Sequence, residues 1–157
     1  MSQPSISKNI LFMDCDGVLN NNKTKTFHTR VFDPQNIIQL DRIIQVTGCK
    51  VVLSSAWRLG GIESIYDPLD NACIGNKDMA DRIKQAVIDK TPNYVQDKFE
   101  RGYEIQAWID KNDFVGTFVI IDDVPDMVHL LDHLVLTKDE GLTEELADRA
   151  ILLFSGS

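Results

Sequence analysis

The stretch Ile10-Leu11-Phe12-Met13-Asp14-Cys15-Asp16-Gly17-Val18-Leu19 decides how the chain is read. Its four leading apolar residues lack the polar alternation of a half-exposed strand, so they suit a β-strand buried on both faces of a sheet. The run stops at an aspartate, and a second aspartate follows two positions later. On an extended backbone such neighbours share a face, so Asp14 and Asp16 are expected side by side, with Cys15 pointing away. Gly17 allows a sharp turn just past the strand. Asp and Gly are also ordinary turn formers, and a plain surface turn is the competing reading. The apolar strand immediately before the pair argues against it.

The same grammar recurs downstream. Lys50-Val51-Val52-Leu53-Ser54 and Thr117-Phe118-Val119-Ile120-Ile121-Asp122 are apolar runs ending in a polar residue, and Leu134-Val135-Leu136 suits a shorter strand. Helices fit between them. Asp33-Pro34 offers an N-cap with proline at the first helical position, Ile37, Leu40 and Ile44 follow at helical spacing, and Gly48 supplies a stop. Further stripes are Met79/Ile83/Ala86/Val87, Ile105/Trp108/Ile109 and Met127/Leu130/Leu131/Leu134. Thr143 can cap a last helix, with Glu144 and Glu145 favourable at its positive end and Leu146, Ala150, Leu153 and Phe154 on its buried face. Strands alternating with helices give an α/β fold, a doubly wound parallel sheet covered on both sides. Sites in such sheets lie beyond the carboxyl ends of the strands. The least regular segments, 20–32 and 59–77, both follow such ends.

The chain has 157 residues, which fits one domain over 1–157. Residues 1–8 are expected to fray, 20–32 to form a small flap, and 59–98 to add at most a modest helical cover, with no large cap. The formal net charge is −8, which disfavours extensive non-specific contact with nucleic acid and leaves room for recognition of an end. Cys15, Cys49 and Cys73 are odd in number and match no zinc spacing, so reduced thiols are expected. No basic-then-apolar leader and no apolar run of membrane-spanning length occurs, so a cytoplasmic location without membrane contact is expected.

Two further signals carry chemistry. Ile121-Asp122-Asp123-Val124-Pro125-Asp126 delivers carboxylates to a strand end, where they repel one another unless a cation or hydrogen-bond donors compensate. A capped helix start is the alternative for Asp123 or Asp126. Ser54-Ser55-Ala56-Trp57-Arg58 places hydroxyls and a guanidinium where a phosphate could be bound, though a simple loop explains it equally well. Trp108 reads as core. His28, His129 and His133 show no ligand-like arrangement. Lys23, Lys25, Arg30 and Arg58 could rim a site or merely be solvated.

With those residues in view, the chain resembles the haloacid dehalogenase-like superfamily of phosphotransferases. The segment DCDGVL at 14–19 is similar to its first motif, VVLS at 51–54 to its second and IDD at 121–123 to its acidic fourth. A narrower likeness is to the phosphatase half of phage polynucleotide kinase-phosphatases and to phosphatase-like domains of RNA-repair proteins. It rests on SSAWR at 54–58, RGYEIQAWI at 101–109, IDDVPDM at 121–127 and LVLTKDEGLTEELADRAI at 134–151.

The resemblance implies a Rossmann-like three-layer fold and a Mg²⁺-dependent phosphomonoester hydrolase. Asp14 would be the nucleophile and Asp16 the general acid. Asp14, the main-chain carbonyl of Asp16 and Asp122 would hold the metal, with Asp123 a second ligand or a holder of the site's cation and Asp126 a weaker orienting candidate. Ser54 would bind a phosphoryl oxygen, with Ser55 in reserve and Arg58 gripping the substrate. Arg101, with Lys98 as the alternative, would fill the place of the family's usual third-motif lysine. The partner is a phosphorylated substrate: a nucleic-acid 3′ end or nucleotide by the narrower likeness, or a small metabolite. A catalytically inert binding module with the same fold is the reading from another class, and intact Asp14 and Asp16 speak against it.

Overall fold

The structure is a computed structural model that describes residues 8–23, 31–54, 61–92 and 101–156. Five strands, β1 (Asn9–Met13), β2 (Lys50–Leu53), β3 (Val87–Lys90), β4 (Thr117–Asp122) and β5 (Leu134–Leu136), form one sheet in the order β3-β2-β1-β4-β5. Every pairing is parallel. β1 lies at the centre and is buried along nearly its whole length, which is why its sequence shows no alternation.

Helices cover both faces. The helices α1 (Pro34–Thr47), α2 (Tyr66–Ala72), α3 (Lys77–Ala86) and α5 (Glu144–Phe154) pack on the face presented by Leu11, Met13, Val51, Leu53, Val119 and Ile121. The helix α4 (Arg101–Lys111) and a 3₁₀ helix, Val128–His133, cover the opposite face, presented by Ile10, Phe12, Val52 and Ile120. The result is the expected three-layer α/β architecture. The helix signals hold in detail. Asp33 accepts from the Gln35 N–H at 2.9 Å, Gly48 closes α1 at φ +67°, and Thr143 accepts from the Leu146 N–H at 3.3 Å.

Three local expectations are corrected. Val87, read as the end of a helical stripe, instead opens β3, whose polar Asp89 takes the Trp108 indole N–H at 2.8 Å. The Met127/Leu130/Leu131/Leu134 stripe becomes a 3₁₀ helix running into β5, with Leu131 left exposed. Of the stretch 59–98 expected to add a cover, residues 61–92 build the sheet's own layers, because Ile65, Leu69, Met79 and Ile83 join the α1-side core and β3 pairs with β2. Of the expected flap at 20–32, residues 24–30 lie outside the described residues.

A buried amide network ties distant segments together. The Asn36 amide donates to the Glu140 and Leu142 carbonyls at 3.0 and 2.9 Å, and its oxygen accepts from Asn21 at 2.9 Å. Asn36→Ala is expected to cost about 2–4 kcal/mol, because it orphans buried partners rather than removing them. Urea denaturation of the variant against the parent measures this, and an unchanged midpoint contradicts it.

Candidate active site

Parallel register brings the site together. Met13 is opposite Leu53 on one side and Ile121 on the other, and Leu53 is opposite Lys90. Backbone bonds carry the ladder one residue further: the N–H of Asp14 reaches Ile121 O at 3.0 Å, that of Ser54 reaches Met13 O at 3.0 Å, and that of Thr91 reaches Leu53 O at 2.9 Å. Thr91, Ser54, Asp14 and Asp122 therefore occupy one row across four strand ends. Strand alternation puts that row on the α4 side, two residues beyond Asp89, Val52, Phe12 and Ile120. All four row residues are buried.

Asp14, Asp122 and Asp123 each offer a carboxylate oxygen, and these oxygens lie within 4.8 Å of one another. Gly17 makes the approach of Asp123 possible. Its φ is +79°, and a Cβ there would sit 2.3 Å from Asp123 Oδ2, so a side chain at 17 and the Asp123 carboxylate exclude each other. The Asp122 Oδ1 accepts from the Val124 N–H at 3.1 Å. Its Oδ2 is 3.3 Å from Arg101 Nη1 but makes no hydrogen bond. Burial, then the Asp14 charge, push the Asp122 carboxyl up to about 8, with Arg101 pulling the other way.

Arg101 is the described cation at the cluster. Its Nη1 donates to the Ser54 carbonyl and stands 3.5 Å from Asp14 Oδ1. Burial opposes its charge, but Asp122 and Asp14 outweigh that and raise its pKa. Its position is fixed by the loop after β4. Asp126 Oδ2 accepts from the Arg101 N–H at 3.3 Å, and the Asp126 carbonyl accepts from the Gly102 N–H at 3.1 Å. A Cβ on Gly102 would meet the Met127 carbonyl oxygen at 2.2 Å, so only glycine lets α4 start this close to that loop. Asp126, weighed as an orienter of the cation, holds its backbone.

Asp16 is placed apart from the three-carboxylate cluster. It sits half-buried on the turn after β1, where its Oδ1 accepts from the Asn20 amide at 2.9 Å. The Asn20 oxygen in turn accepts from the Gly17 N–H at 2.7 Å, and the Gly17 carbonyl accepts from the Thr137 hydroxyl at 2.7 Å. Ser54 Oγ is buried without a hydrogen-bond partner. Ser55, Arg58 and Lys98 lie outside the described residues. Asn20 and Thr91 were missed from sequence. Asn20 had a signal in its spacing of four from Asp16, whereas Thr91 had none beyond a strand too polar to notice. Of the three histidines, His129 bonds Gln106 at 2.8 Å and His133 bonds the Phe118 carbonyl at 3.1 Å, and His28 lies outside the described residues.

Among the described residues three clustered carboxylates, Asp14 and Asp122 buried and Asp123 half-buried, face the one guanidinium of Arg101, and oxygen donors of this kind suit a hard divalent cation. The orphaned Asp122 Oδ2 and the raised Asp122 pKa both fit such an ion. The pH consequence follows from the sign of that shift. A carboxyl whose folded pKa lies above its unfolded one stabilises the fold most at low pH and loses that contribution as pH rises toward about 8. The melting temperature of EDTA-treated protein is therefore expected to fall between about pH 5 and pH 8, and Asp122→Asn to flatten the fall. Added Mg²⁺ should raise it more at the higher pH, because metal competes with the proton. A flat profile for the metal-free parent contradicts this account.

Among the described residues no helix is long and apolar enough to cross a membrane. Comparison with curated proteins and with solved structures gave no match. Residues 10–147 match the family model of the HAD domain in Swiss Army Knife RNA repair proteins, spanning β1 and the acidic loop after β4, and the chain belongs to that family.

Proposed function

We propose that the chain is a Mg²⁺-dependent phosphomonoester hydrolase that works through an aspartyl-phosphate on Asp14. The observation that carries this reading is the convergence of Asp14, Asp122 and Asp123 on one point beside Arg101. Asp14, Asp122, Asp123 and the Asp16 carbonyl would hold the ion. Bound there, Mg²⁺ supplies the positive charge that lets an anionic nucleophile approach a phosphate dianion.

The chain's own residues supply the rest. An Asp14 carboxylate oxygen bonds to phosphorus as the bond to the leaving oxygen breaks, and Asp16 gives that oxygen a proton. Asp16 then takes a proton from water, whose oxygen attacks phosphorus, releasing inorganic phosphate and restoring Asp14. Arg101 balances charge and, as an arginine, cannot surrender its proton. Ser54 donates its unpartnered hydroxyl to a phosphoryl oxygen. Ser55, Arg58 and Lys98 complete the substrate side of the proposal.

The substrate class proposed is a phosphate at a nucleic-acid 3′ end or on a nucleotide. The family's occurrence in RNA repair proteins supports it. The net charge of −8 favours recognition of an end over long duplex contact. The setting proposed is the cytoplasm.

Asp14→Asn should fold and lose roughly a thousandfold or more in kcat, because an amide is a poor nucleophile. EDTA should abolish hydrolysis and Mg²⁺ restore it. Initial rates on a 3′-phosphorylated oligonucleotide, a nucleoside monophosphate and a sugar phosphate check both points and rank the substrates. Retention of activity by the Asn variant or by the metal-free protein excludes the mechanism. No turnover of any ester by the parent favours the inert binding module, and preference for the sugar phosphate favours a small-metabolite phosphatase.

A further inference from the structure

We infer that Thr91 is a further substrate-binding residue, its hydroxyl paired with that of Ser54 to grip one oxyanion oxygen of the phosphoryl group. The inference deepens the phosphatase reading and rests on it for the identity of the anion. Thr91 is 2% exposed and Ser54 is fully buried, and neither Ser54 Oγ nor Thr91 Oγ1 has a hydrogen-bond partner. A buried hydroxyl without a partner destabilises a fold. One such group at a strand end is an oddity. Two, on adjacent strands in the same row, form a site.

Their placement follows from the register. Leu53 is opposite Lys90, and the Thr91 N–H to Leu53 O bond of 2.9 Å extends the ladder by one residue. Ser54 and Thr91 are thus neighbours across a strand spacing of ~4.8 Å. Both face α4, since Val52 belongs to the α4-side core and Asp89 bonds Trp108 at 2.8 Å. Two hydroxyl hydrogen bonds of ~2.7 Å each span about that gap. A single acceptor atom between the two can therefore take both.

The acceptor should be anionic. Ser54 adjoins Asp14 in the same row, and its carbonyl accepts from Arg101. A phosphoryl group held over Asp14 can turn one non-bridging oxygen toward β2 and β3. The carboxylates on the β4 side of Asp14 are the ones that would hold the ion. Among the described residues, the β2–β3 end of the row presents the Ser54 and Thr91 hydroxyls, which can donate to that oxygen and orient the phosphoryl group.

Titration of the full chain with inorganic phosphate in the presence of Mg²⁺, by calorimetry, tests this without relying on turnover. Thr91→Val should weaken phosphate binding about tenfold, the loss expected for one hydrogen bond to a charged group. Its melting temperature should hold or rise, because an apolar methyl replaces an orphaned hydroxyl. Thr91→Ser should recover most of the affinity. A purely structural threonine would instead show a lower melting temperature with phosphate affinity intact. Phosphate affinity of Thr91→Val within twofold of the parent overturns the inference, as does failure of the parent to bind phosphate. Thr91-dependent binding in a parent that hydrolyses no ester leaves the inference standing and removes the phosphatase reading alone.

Discussion

The pairing of β1 with β4 forces two carboxylates into the protein's interior. Neighbouring parallel strands lie ~4.8 Å apart and residues in register point the same way. With Met13 opposite Ile121 and the Asp14 N–H bonded to Ile121 O at 3.0 Å, Asp14 cannot turn from Asp122 without breaking the ladder. Both side chains are buried, at 6% and 0% exposure. Burial first, and then the like charge of Asp14, oppose ionisation of Asp122 and raise its pKa. The fold tolerates them because the apolar rows behind them, Ile10 to Met13 and Val119 to Ile121, are fully buried. The strain of the pair is local and the core that offsets it is large.

Compensation comes from a helix whose position the acidic loop itself controls. Asp122 and Asp123 face the cluster, while Asp126, four residues after Asp122, accepts from the first N–H of α4. Residues 121–127 therefore supply two acids and also set where Arg101 stands. The close packing of Gly102 on the Met127 carbonyl couples the two tasks. Val128, at φ +54°, holds a backbone conformation that costs a β-branched residue of order 1–3 kcal/mol. Strain directly after a loop that positions a charged group fits a backbone selected for geometry over ease.

What could be read from sequence was what local rules determine. β1, β2 and β4 announced themselves because strands buried on both faces are apolar throughout, and Asp14, Ser54 and Asp122 stood out as the polar residues ending them. Asp33, Gly48 and Thr143 carried capping chemistry that does not depend on tertiary context. β3 was hidden because an edge strand can afford Asp89 and Lys90, and Val87 fitted a helical stripe just as well. Thr91 was invisible for a related reason: its significance lies in register with Ser54, a relation between strands rather than a pattern within one. Arg101 came from likeness to a family and not from spacing, since helix-start charges are ordinarily solvated. Its half-buried position beside Asp14 and Asp122 is a tertiary fact.

The two aspartates of the opening motif end in different surroundings, and the residues between and after them explain why. Cys15 is fully buried in the α1-side core, on the face opposite Asp14, and its carbonyl accepts from the Val18 and Leu19 N–H groups at 3.1 and 2.8 Å. The strand has ended at Met13, the chain bends at Cys15, and Gly17 takes a positive φ within the turn that follows. Asp16, on that turn, leaves the row and is held half-buried by the Asn20 amide, whose oxygen accepts from the Gly17 N–H. Had the strand run on, Asp16 would have joined Asp14, Asp122 and Asp123 as a fourth clustered carboxylate competing for the same ion. Separated, it experiences a different environment from Asp14 two residues away. The turn after β1 is therefore what separates in space the two carboxyls to which the proposed reaction gives different tasks.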